Sequence, residues 1–324
     1  MPGARDGIDE LVERLRSGDG RAVARLISVV EDGTREELRE VAEALNPLSG
    51  RAVVIGLTGS PGVGKSTLAN ALVAAYRQAG RTVGVLAVDP SSPFTGGALL
   101  GDRVRMQHHA LDEGVYIRSM ATRGQLGGLA RATPQAVRVL DGAGCEVVLV
   151  ETVGVGQAEV EVAGLADTTL VVLAPGFGDS VQVAKAGILE AADIFVVNKA
   201  DKEGGDTVAR DLRQMLHLGE ARPWSVPVVK TVAARGDGVD ELVERIAEHG
   251  AHLAAGGLAE RRRRRSAREI EEIALADLRA ELGELGCGET LEKLAELVAT
   301  GELGPYAAAD QLLERVRRSG DGPP

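Results

Sequence analysis

Residues 51–79 read RAVVIGLTGSPGVGKSTLANALVAAYRQA, and the reading of this stretch decides the fold. Residues 52–57 are an unbroken apolar run, as expected of a strand buried on both faces of a parallel sheet. The run breaks at Gly59-Ser60-Pro61-Gly62-Val63-Gly64-Lys65-Ser66-Thr67, after which Leu68, Leu72 and Tyr76 recur at helical spacing. Strand, glycine loop and helix follow in the order that the phosphate-loop pattern G-x-x-x-x-G-K-[ST] requires. Glycines let the backbone curl closely around phosphate oxygens, and the start of the helix adds the positive end of its dipole. In such a loop Lys65 bridges the β- and γ-phosphates of a nucleoside triphosphate, and the Ser66 hydroxyl ligates magnesium. A glycine-rich turn with a stray lysine is the plainer alternative; the flanking strand and helix argue against it.

Composition narrows the partners. The 324 residues carry a formal net charge of −11, which argues against nucleic acid or an anionic membrane as the main partner. Two cysteines, Cys145 and Cys287, form neither a disulfide framework nor a metal cluster. The first residues, MPGARDGIDELVERL, are charged and lack the apolar core of a signal peptide, and no run is long enough to span a bilayer. The expected location is cytoplasmic.

Ahead of the phosphate loop, residues 7–45 carry apolar positions at helical spacing, broken at Gly18-Asp19-Gly20 and Asp32-Gly33-Thr34. Three helices are expected, the third opened by a capping box of Thr34 and Glu37. After the loop, residues 82–88 read as a second buried strand ending in Asp89, at the sheet edge where parallel sheets bind ligands. The glycine-rich segment that follows contains Gly96, Gly97, Gly101, Asp102 and Arg103, and reads as a switch responsive to the γ-phosphate; a plain flexible connection is the alternative. Residues 115–119 read as a strand and 127–140 as a helix.

Residues 146–157, EVVLVETVGVGQ, form an apolar strand ending in an acid and then a glycine, the Walker B and second-switch arrangement that runs on to Gln157. Glu151 is expected to hold magnesium directly or through water, and the Gly154 amide to sense the γ-phosphate. A further strand, 168–174, leads to residues 175–180 and a helix over about 181–191. Residues 194–197 then end in Asn198-Lys199-Ala200-Asp201, which selects the base. A carboxylate at Asp201 accepts hydrogen bonds from the N1–H and exocyclic amine of guanine, whereas adenine would leave it unpaired. Asn198 supports that pocket and the stem of Lys199 covers the ring face. After a strand at 226–231, Val232, Ala233 and Ala234 occupy the place where backbone N–H groups close over guanine. Helices are expected at 241–249, 258–285, 291–298 and 306–316; an apolar stripe in the last region makes dimerisation reasonable, and the RRRRR run at 261–265 reads as a solvated face or partner surface.

The segments GSPGVGKST, VDPSSPFTGGALLGDRVRM, VETVGVGQAE and NKAD together resemble the MeaB/ArgK family of GTPases, chaperones of adenosylcobalamin-dependent acyl-CoA mutases. The resemblance implies an α/β P-loop NTPase with a mostly parallel sheet flanked by helices. It divides the chain into an N-terminal helical extension (1–48), a GTP-binding domain (49–252) and a C-terminal helical dimerisation arm (253–324). It implies GTP/GDP and Mg2+ as cofactors, with Asp89, Asp102 and Glu151 in the magnesium and water environment. Residues 175–187, with Gly178, Asp179 and Lys185, match an additional switch that senses the mutase. The implied role is a slow GTPase, stimulated by methylmalonyl-CoA mutase or a close relative, that gates cofactor loading and protection of that enzyme, as a homodimer. Many relatives carry serine where this chain has Val232, which loosens only the assignment of the base loop. A nucleotide-gated scaffold and a kinase linked to amino-acid transport are the alternative functions.

Overall fold

A computed structural model describes residues 5–89, 109, 111–121, 132–152, 158–176, 189–219, 222–284 and 287–320. The chain divides into two compact units, Met1–Arg261 and Arg262–Pro324. The first begins with three short helices, α1 (Arg5–Arg16), α2 (Gly20–Asp32) and α3 (Arg35–Leu45). Their boundaries follow side-chain chemistry. Asp19 caps α2 by accepting from the Arg21 amide at 2.8 Å. At α3 the expected capping box forms, with the Thr34 amide donating to Glu37 at 2.7 Å and the Glu37 amide donating to the Thr34 hydroxyl at 3.3 Å.

Behind these helices lies a seven-stranded sheet of β1 (Val53–Thr58), β2 (Val83–Asp89), β3 (Val115–Ala121), β4 (Val147–Glu151), β5 (Thr168–Leu173), β6 (Ile194–Val197) and β7 (Val228–Lys230). The spatial order is β3-β2-β4-β1-β5-β6-β7, and every pairing is parallel. The connecting helices are α4 (Lys65–Gln78), α5 (Thr133–Gly142), α6 (Ala158–Leu165), α7 (Gly205–Leu218) and α8 (Val239–Ala254). α9 (Leu258–Glu284), α10 (Cys287–Ala299) and α11 (Pro305–Gly320) follow. This is the α/β P-loop architecture that the sequence predicts.

Strand alternation splits the core into layers. On one face Val54, Leu86, Val88, Val148 and Val150 pack with Leu15, Leu26, Ile27 and Leu45 of the N-terminal helices. On the other, Ile55, Leu57, Val85 and Leu149 pack with Leu68 and Leu72 of α4 and Leu242 and Ile246 of α8. A period of two along β4 thus feeds both layers, as in a strand covered on both sides. A third cluster joins Val171, Phe195 and Val197 to Val208 and Leu212 of α7. The Asp141 carboxylate of α5 fastens the entry to β1, accepting from the amides of Gly50, Arg51 and Ala52.

Several boundaries differ in detail from the sequence reading. The last strand is Val228–Lys230 rather than 226–231, because Pro227 has no amide to give the ladder, although its carbonyl still accepts from Phe195 at 2.9 Å. α5 begins at Thr133, with Pro134 in its first turn, where a missing amide costs nothing. Residues 127–131 and 181–188, read as helical, lie outside the described residues, and Leu189–Ala191 is a helical turn. Helices α6 and α7 have no counterpart in the sequence reading.

Candidate functional site

β1 is the central strand of the sheet, with β4 on one side and β5 on the other, so the loop after Thr58 emerges among the C-terminal ends of several strands. Two glycines make that loop possible. Gly59 has φ +138°, and a Cβ there would stand 2.1 Å from the carbonyl oxygen of Val172. Gly64, φ +97°, would place a Cβ 2.5 Å from Nδ2 of Asn198. Any side chain at either position would collide with the wall of the loop as well as strain the backbone.

Lys65 opens α4 and is buried, its ammonium donating to the carbonyls of Gly59 at 2.7 Å and Ser60 at 3.2 Å. The cation is therefore held across the mouth of the loop, beside the N-terminal end of the α4 dipole. Ser66, the next residue, donates its hydroxyl to Oε1 of Glu151 at 2.7 Å. Glu151 ends β4, aligned with Leu57 on β1 and Ala87 on β2, and is 5 % exposed. The hydroxyl and carboxylate proposed to share a magnesium ion thus stand one hydrogen bond apart, though 85 residues separate them in sequence. Both are hard oxygen donors, the set that Mg2+ prefers, so the residues fit that ion. Asp89 ends β2, the strand next to β4.

The remaining motif enters from β6. Asn198 is 2 % exposed and acts as a bracket. Its Nδ2 donates to the carbonyl of Val63 at 2.9 Å and, more weakly, to that of Gly64 at 3.4 Å. Its Oδ1 accepts from the Thr231 hydroxyl at 3.2 Å and the Ala233 amide at 3.1 Å. One amide side chain therefore ties the phosphate loop to the segment after β7. Lys199 is the single non-glycine residue with positive φ, +54°, among the described residues, and its ammonium donates to the Gly62 carbonyl at 2.6 Å. That left-handed turn sends the chain from β6 toward Asp201. The segment after β7 is a tight turn closed by a bridge between Val232 and Asp237, with the Val232 amide donating to the Asp237 carbonyl at 2.9 Å.

The structure thus gathers Gly59, Ser60, Pro61, Gly62, Val63, Gly64, Lys65, Ser66, Thr67, Glu151, Asn198, Lys199, Asp201, Val232, Ala233 and Ala234 around one edge of the sheet. Gly96, Gly97, Asp102, Gly154, Gln157, Gly178, Asp179 and Lys185 lie outside the described residues. Two participants escape the sequence reading. Thr231 holds Asn198 from behind, and Arg235 reaches Asp201, its Nη1 standing 3.3 Å from Oδ2. A buried threonine next to a strand end could have signalled the first; no pattern announces the second.

A family model described as methylmalonyl Co-A mutase-associated GTPase MeaB matches residues 23–284. The chain belongs to the MeaB family. The chain is similar to a Pyrococcus abyssi protein carrying a provisional GTPase name, 50 % identical over 315 residues, covering 95 % of this chain and 97 % of that one. A mouse protein named methylmalonic aciduria type A homolog, mitochondrial, is 34 % identical and covers 96 % of this chain and 80 % of its own. Among solved structures, one described as an LAO/AO transport system kinase superposes with a TM-score of 0.72 at 26 % identity, over 96 % of this chain and 97 % of that one. MeaB membership brings guanine-nucleotide binding with it. No described helix is long and apolar enough to cross a membrane.

Proposed function

We propose that this MeaB-family chain binds GTP at the edge just described, hydrolyses it slowly, and uses the cycle to gate adenosylcobalamin loading and protection of an acyl-CoA mutase, methylmalonyl-CoA mutase or a close relative. The observation that supports it most is the Asn198 bracket, since it couples the phosphate loop to the base-side segment through one buried side chain. Lys65 exchanges its loop carbonyls for the β- and γ-phosphate oxygens and offsets the charge that builds on them as water attacks in line. Ser66 and Glu151, with Asp89 and Asp102, would hold Mg2+, which neutralises phosphate charge when bound. Asp201 reads the N1–H and amine of guanine, Asn198 and the amides of Val232, Ala233 and Ala234 shape the pocket, and the Lys199 stem covers the ring. Gly154 and Gln157 belong to the second switch, Gly96 and Gly97 to the first, and Gly178, Asp179 and Lys185 to the segment that senses the mutase.

The division into extension 1–48, GTP-binding domain 49–252 and arm 253–324 is part of the same proposal, with the arm pairing two copies of the chain. Ile270, Ile273, Leu278 and Leu291 are exposed apolar residues on the arm, which suits that role. A single monomeric species in sedimentation velocity at micromolar concentration would remove it. The mutase role is tested by steady-state GTP hydrolysis with and without purified methylmalonyl-CoA mutase. Stimulation by the mutase is expected; equal rates would reject the mutase as the partner that drives turnover.

A further inference from the structure

The Asp201 carboxylate is engaged by the Arg235 guanidinium. Arg235 is itself steadied by Asp237, whose Oδ2 accepts from Nε at 2.8 Å, and the turn carrying both is closed by the Val232–Asp237 bridge. The side chains of Arg235 and Asp201 are 57 % and 39 % exposed, so solvent screens their pairing and it breaks readily.

A guanidinium presents N–H donors across a planar N–C–N fork, and the fork matches a carboxylate. Guanine presents a similar pair, N1–H and the amine on C2 on either side of one carbon; Arg235 fills one of those two donor places on Asp201, its Nη1 donating to Oδ2 at 3.3 Å. We infer that Arg235 is a partial guanine surrogate, a displaceable plug whose Nη1 competes with guanine for the base-reading carboxylate and must yield Asp201 before the base can take both of its oxygens. The inference rests on the proposed reading of guanine by Asp201. Plug and base draw on the same carboxylate, which sets a competition that guanine alone among the common bases wins, because adenine has no donor pair to take over the carboxylate. Because Nε stays on Asp237, only the Nη1 contact has to open. Arg235 is thus a specificity and rate residue placed outside the NKAD motif.

The test is stopped-flow association of N-methylanthraniloyl-GDP, at low and high salt, with the full chain and its R235A variant. Removal of the plug is expected to raise the association rate and the affinity about two- to fivefold at low salt, the scale of an exposed ion pair. The gap between the proteins should close as salt screens the Arg235–Asp201 pair. Unchanged or weaker binding by R235A, or a gap that does not respond to salt, overturns the plug. The variant D201N separates this failure from failure of the base reading. Its asparagine amide should favour xanthine nucleotide, which has a carbonyl where guanine has the amine. A shift toward xanthosine diphosphate with no effect of R235A would sink the plug alone; no shift in D201N would sink the guanine reading, and the plug with it.

Discussion

At Asn198 four hydrogen-bond contacts converge on one buried amide. Its replacement by alanine leaves the Ala233 amide, the Thr231 hydroxyl and the Val63 carbonyl to find new partners in a buried setting. The expected cost is about 1–3 kcal/mol of stability, with a loss of guanine-nucleotide affinity that exceeds any loss of affinity for inorganic triphosphate. Urea unfolding and calorimetric titration with GDP and triphosphate read the two effects; a variant of wild-type stability and wild-type GDP affinity would contradict the bracket. Lys65, Ser66, Glu151 and Asn198 were legible in the sequence because each sits at a fixed offset from a strand end, and a strand end in a parallel sheet is a place in space. Arg235 and Thr231 were not. Their roles depend on a turn that folds residue 235 back beside residue 201, and no local pattern encodes that approach.

Among the elements, the three N-terminal helices matter beyond their number. Leu15, Leu26 and Leu45 are fully buried and share one core with the strands that position Glu151. Leu26→Ala is therefore expected to cost about 2–5 kcal/mol in a single cooperative unfolding transition. A cost below about 1 kcal/mol, or a separate early transition by circular dichroism, would show the extension to be an independent appendage. Helical spacing and the Thr34–Glu37 box made these helices readable, but the face of the sheet that they cover was not, since the Asp141 clamp and the Leu45 contacts join segments some ninety residues apart. α7 shows the reverse case. Val208, Leu212 and Met215 have the spacing of an amphipathic helix and pack against Phe195, yet the charged and polar residues between them leave no unbroken apolar run to mark the element in the sequence.

At the scale of the molecule, the sheet end opposite the nucleotide edge is held by a polar network around the buried His249 and Thr168. Nδ1 of His249 on α8 stands 2.9 Å from the Thr168 hydroxyl and its Nε2 faces Asp193 at 3.3 Å, and Arg261 donates to both Asp193 oxygens. Trp224 lies against the His249 ring, 5.0 Å between centroids. Burial lowers the pKa of His249 below the ordinary histidine value of 6.5, with Asp193 opposing the shift. The unfolded chain therefore binds a proton that the folded chain resists, so stability falls as the pH drops below about 6.5. His249→Gln should flatten the dependence of unfolding free energy on pH between about 7.5 and 5.5, whatever its cost at neutral pH; parallel profiles for the two proteins would reject the assignment.

The central claim is that one edge of the sheet joins phosphate, magnesium and guanine chemistry in a single site. Steady-state hydrolysis of GTP and ATP by the purified full chain, each with Mg2+ and with excess chelator, tests it most directly. Turnover of GTP is expected to require Mg2+ and to fall by roughly a hundredfold or more in Lys65→Ala, with little turnover of ATP under any condition. Comparable rates for ATP, or GTP hydrolysis that persists in chelator or in Lys65→Ala, would contradict it.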